Sequence, residues 1–213
     1  VVEQNEKVSE TINSAKGNLA GIFKKRSISV PAKEGIFELS DYYVKGEEAG
    51  EGAIITSDGW IMTKLNVDSA DNYVVAAPDG KIYAIDKMAD DKLTSFNFLH
   101  IEARDLPVKK FAAPEEVMAG QAVLAVKWNG EAVLSTIAND KKWAEGLVGS
   151  SDSLPSFIKL SDKLDKEYEG SVLFNLSGDI VGILNNADEA EPIYHFEPAI
   201  KSLLGEGKIK RAS

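Results

Sequence analysis

GEGAIITSDGWIMTKLNV, residues 50–67, sets two short apolar runs, AII and WIM, on either side of Asp58-Gly59. Short apolar runs joined at an Asp-Gly pair read as two antiparallel strands, because the pair tolerates the positive φ of a tight turn. The same texture extends in both directions. YVVAAPDGKIYAI (73–85) turns at Asp79-Gly80, and VLFNLSGDIVGIL (172–184) turns at Ser177-Gly178. LAGIF (19–23), GIFEL (35–39), FNFLHIEA (96–103), QAVLAVKW (121–128), EAVLSTIA (131–138) and FIKLS (157–161) complete the strand candidates. Many short strands at even spacing imply an all-β barrel or sandwich.

Helical spacing is confined to the two ends. Residues 3–16 carry Val8, Ile12 and Ala15 on one stripe and stop at Gly17, while the last segment starts after Pro198 with Ile200, Leu203 and Leu204 and stops at Gly205 and Gly207. PVKKFAAPEEVMAG (107–120) has no alternation and two prolines, which suits a connection. The expected division is an N-terminal helix over 1–16, a first β-barrel over 17–112, a second over 113–197, and a C-terminal helix and tail over 198–213.

Composition excludes several functions. With 24 Lys and Arg against 34 Asp and Glu, the net charge is −10, so no global cationic footprint exists for nucleic acid or an anionic membrane. The absence of cysteine removes thiolate chemistry, disulfides and cysteine zinc sites. Only His100 and His195 offer an imidazole. No apolar run reaches the length of a membrane span, and no cofactor is expected.

Three stretches carry a resemblance. Residues 50–67 resemble the segment G-S-G-x-I-I-x-x-D-G-x-I-V-T-x-x-H-V of HtrA-type, trypsin-like serine proteases. MAGQAVLAVKWNGEAVLSTIA (118–138) resembles their x-x-G-x-x-V-L-A-I-G-N-P-x-G-x-x-x-T-x-G-I-V. FIKLSDKLDKEYEGSVLFNLSGDIVGI (157–183) resembles, without insertion, F-I-Q-T-D-A-A-I-N-x-G-N-S-G-G-A-L-V-N-x-x-G-x-x-I-G-I. The likeness covers nearly the whole chain and implies a trypsin-like fold of two antiparallel β-barrels with short terminal helices.

The chemistry the resemblance implies is altered at each position. In this fold a histidine takes the proton of a serine, an aspartate orients the histidine, and backbone N–H groups stabilise the oxyanion. Asn66 matches the histidine, Glu169 the serine, Phe96 the aspartate, with Asn97 one residue off, and Glu167 the oxyanion-hole glycine. An amide is no general base near neutral pH. An added carboxylate opposes developing negative charge. The sequence reading is therefore a homologue without enzyme activity, a pseudoprotease with no catalytic residues, acting in protein binding, scaffolding or regulation.

Two alternatives stand beside it: a serine endopeptidase with a non-standard nucleophile, with Ser171 as candidate, and a purely structural domain. The acidic run Asp162, Asp165, Glu167 and Glu169 offers oxygen ligands without the spacing of a calcium loop, so it reads as a solvated loop and no metal site. Trp60, Trp128 and Trp143 read first as packing residues. The expected partner is a protein or peptide. The resemblance brings a location outside the cytoplasm, and leaves open homo-oligomerisation, a membrane anchor ahead of Val1 and a PDZ domain after Ser213.

Overall fold

The computed structural model describes residues 2–25, 48–91, 94–138 and 157–206. GIFEL and Trp143 lie outside them. The chain divides into two units, Gly17–Val108 and a second made of Val1–Lys16 with Lys109–Ser213.

Six strands build the first unit: β1 (Leu19–Lys24), β2 (Glu48–Ile54), β3 (Trp60–Thr63), β4 (Tyr73–Ala76), β5 (Ile82–Asp91) and β6 (Phe96–Ile101). They close in the order β1-β2-β3-β6-β5-β4, with β4 returning to β1 through pairs such as Ile22↔Val75. Closure leaves no sheet edge to protect. Ile22, Ile54, Ile61, Val75, Leu99 and Ile101 point into one buried cluster, as the apolar runs require. Gly59 makes the β2–β3 turn at φ 114°, and a Cβ there would stand 2.1 Å from the Ile101 carbonyl oxygen. Only glycine fits that corner.

Asn18 ties the two ends of this unit together. Its Nδ2 donates to the carbonyls of Ile54 (2.8 Å) and Pro107 (3.0 Å), while the Ile54 N–H donates to the Asn18 carbonyl (2.9 Å). One buried side chain thus joins the chain's entrance to its exit. Such a group is tolerated inside because its donors are satisfied.

The second unit contains α1 (Val2–Lys16), β7 (Ala122–Val126), β8 (Ala132–Thr136), β9 (Ile158–Lys159), β10 (Val172–Asn175), β11 (Ile180–Asn186), β12 (Glu189–Pro192) and α2 (Glu197–Glu206). The sheet runs β8-β7-β10-β11-β12-β9. A bridge from Ile137 to Leu160, with Ala138 N–H donating to Lys159 and Ser161 N–H to Thr136, carries β9 back towards β8. This makes the second β-barrel of the trypsin-like fold. Val123, Ala125, Leu173, Val181 and Leu184 fill it. Helix α1 belongs to this unit: Ala15 and Thr11 are buried, and the Thr11 hydroxyl donates to the Leu176 carbonyl at 3.2 Å. Helix α2 starts one residue before Pro198, buries Ala199, Ile200 and Leu203, and continues through Gly205.

Candidate functional site

Asn66 stands in the loop after β3. Thr63 shapes that loop from both sides, its hydroxyl donating to the Glu51 carbonyl (2.6 Å) and accepting the Leu65 N–H (3.0 Å). Asn97 on β6 fixes the next residue, its Nδ2 donating to the Leu65 carbonyl at 2.9 Å. The β5–β6 hairpin approaches from the other side. There Thr94 Oγ1 donates to Asp91 Oδ2 (2.7 Å), Ser95 N–H donates to the Asp91 carbonyl (2.8 Å), and Ser95 takes φ 61°.

Between loop and hairpin lies a cleft of about 330 Å³, lined by Asn66, Asp90, Asp91, Ser95, Phe96 and Asn97. The structure therefore brings Asn66 and Phe96 together, with Asn97 beside them. Phe96 is buried and Asn66 is exposed. The side chains of Asn66 and Asp90 have no partner among the described residues. Sequence reasoning missed Asp90 and Asp91, whose only signal was a pair of carboxylates at the end of a strand run.

Glu167 and Glu169 belong to the second unit, on one corner. Lys166–Tyr168 form a single 3-10 turn, and Glu169 follows in extended conformation with its side chain exposed. Four N–H groups of the corner donate inward: Tyr168 to Asp165 (2.9 Å), Glu169 to Lys166 (3.0 Å), Gly170 to Leu184 (2.8 Å) and Ser171 to Tyr168 (3.0 Å). In this conformation none of the four is aimed at an outside oxygen, which oxyanion stabilisation requires. Ser171 is completely buried.

A charged network braces this corner from the β7–β8 hairpin. Lys127 Nζ lies 2.8 Å from Glu131 Oε2, 4.0 Å from Glu167 Oε2, and 5.6 Å from the centre of the Tyr168 ring. Burial, then the charge of Glu131, holds the Tyr168 hydroxyl above its ordinary pKa.

Each histidine is paired within its own unit. His100 Nδ1 meets Asp86 Oδ1 at 2.6 Å with its ring edge on Trp60, and His195 Nδ1 meets Glu191 Oε1 at 2.6 Å beside Tyr194. Asp86 reaches His100 from an irregularity in the β5–β6 register between Ile85 and Lys87. Among the described residues no three histidine or carboxylate side chains converge to hold a metal ion, and no helix is long and apolar enough to cross a membrane.

No protein-family model matches the chain. Over 141 residues it is 34% identical to a probable periplasmic serine endoprotease, DegP-like, of Marinomonas sp. (strain MWYL1), covering 63% of this chain and 29% of that protein. Over 138 residues it is 30% identical to the serine endoprotease DegS of Haemophilus influenzae (strain ATCC 51907 / DSM 11121 / KW20 / Rd), covering 63% of this chain and 40% of the relative. The fold of the HtrA-type protease AlgW, solved with a decapeptide, matches with a TM-score of 0.67 at 17% identity, over 94% of this chain and 68% of that one. The chain thus spans well under half the length of these two curated relatives.

These comparisons correct one expectation. The exchanged motif residues predict a chain without enzyme activity, yet the relatives are named serine endoproteases, and nothing in the likeness marks this chain as inactive. The physical reason is that strands carry the resemblance while chemistry rests on a few loop residues, so exchanged letters in a motif do not by themselves decide activity. The periplasmic naming of the DegP-like relatives agrees with a location outside the cytoplasm. Two β-barrels with this strand order give the chain the trypsin-like fold seen in the HtrA-type protease AlgW, and its sequence is similar to both DegP-like and DegS serine endoproteases.

Proposed function

We propose that this domain works by holding a protein or peptide partner on the HtrA frame, outside the cytoplasm as its DegP-like relatives are named. Asn66, Phe96, Glu167 and Glu169 stand, on this reading, at the positions of the family's base, orienting carboxylate, oxyanion glycine and nucleophile. The supporting observation is the cleft of about 330 Å³ beside Asn66, which offers space together with the side chains of Asn66 and Asp90, neither of which has a partner among the described residues. Ligand sites are concave and present a few convergent polar groups of this kind. A peptide selected from a displayed random library on the immobilised chain is expected to bind saturably in calorimetric titration, one per chain. Failure of every enriched peptide to bind saturably overturns the proposal.

The names of the relatives favour a second reading, serine endopeptidase activity of this chain's own. Its nucleophile is then a serine outside the 165–171 corner, because Ser171 is fully buried. A serine-directed fluorophosphonate, with mass spectrometry to find the labelled residue, decides it. Labelling that disappears on alanine substitution of the labelled serine, together with peptide hydrolysis, supports endopeptidase activity. No labelling and no turnover removes this reading.

A further inference from the structure

Resting on that partner-binding reading, we infer that the cleft beside Asn66 seats a cationic side chain of the partner, lysine or arginine. Its volume of about 330 Å³ admits one long side chain. Among the described residues the lining comprises two carboxylates, two amides, one hydroxyl and one aromatic ring, and no cationic side chain.

These groups divide the work as a long cationic side chain needs. An ammonium has three N–H donors and no acceptor, so it must find acceptors wherever it loses water. Asp90, exposed and without a partner among the described residues, presents its carboxylate at the rim, and the Asn66 carbonyl oxygen and Ser95 hydroxyl stand in the same lining. Asp91 is only 2% exposed, and the Thr94 hydroxyl at 2.7 Å fixes its orientation. A neutral apolar side chain would desolvate Asp90 without compensation. A divalent metal ion fits less well, since no three ligating side chains converge here or elsewhere among the described residues.

The test is an NMR titration of the ¹⁵N-labelled full chain with N-acetyl-lysine N-methylamide, set beside the norleucine compound of the same shape without charge. The lysine probe is expected to move the amide signals of Asn66, Asp90 and Asn97 saturably, and the norleucine probe to leave them in place. Asp90→Asn should weaken the lysine probe about fivefold or more, and added salt should weaken it further, as for any exposed charge contact. Glu102→Gln, at the far end of β6, should leave binding unchanged and serves as the control for general charge. Equal shifts from both probes, no saturable shift at these three residues, or indifference to Asp90→Asn overturns the inference. Peptide selection separates the two claims. A seated lysine probe with no selectable peptide defeats the partner reading alone, and peptides that bind without regard to Asp90 defeat the cationic assignment alone.

Discussion

Single atoms decide several positions in this domain. Gly182 on β11 lies so close to β12 that a Cβ would stand 2.4 Å from the Glu191 carbonyl oxygen. Gly182→Ala must push the two strands apart, and chemical denaturation should register a loss of about 1–3 kcal/mol, the usual cost of overpacking. Nearby Tyr194 has its pKa pushed up to about 12 from 10.0, first by burial and then by the charge of Glu191. The folded protein therefore keeps a proton that the unfolded chain gives up. The resulting stability is complete below pH 10 and is lost as the pH rises from 10 towards 12. Melting curves of Tyr194→Phe across that range should show a flatter decline than those of the parent chain.

Elements were legible in the sequence where local chemistry and tertiary position agree. The Asp58-Gly59, Asp79-Gly80 and Ser177-Gly178 pairs all mark turns between paired strands, and α1 ends within a residue of the expected Gly17. Strand β12 was not legible. Its residues, EAEP, carry two carboxylates and a proline, and become a strand only because β11 pairs with them on one side and β9 on the other. The cleft was half legible: motif spacing found Asn66 and Phe96, but Asp90 and Asp91 enter only through the pairing of β5 with β6. Asn18 was equally silent, since its role depends on Ile54 and Pro107, 36 and 89 residues away. Asn18→Ala should cost about 1–3 kcal/mol, leaving buried carbonyls without donors. Asn18→Asp should cost more at pH 7, because it sets a carboxylate against two carbonyls, and part of that excess should return as the carboxyl protonates in acid.

At the scale of the whole molecule, two barrels with separate cores carry a set of loops, and the frame and the loops report different things. The frame is that of the HtrA-type protease AlgW, and the sequence is similar to DegP-like and DegS proteins. The loops carry a corner with four backbone donors engaged internally, a lysine bracing that corner, and an acidic cleft with room for a side chain. Binding of a protein segment is the work we propose for them. Calorimetric titration of the intact chain with peptides enriched on it from a random display library tests this most directly. Saturable heat at one peptide per chain is the result our reading requires, and an absence of saturable heat from every enriched peptide would contradict it.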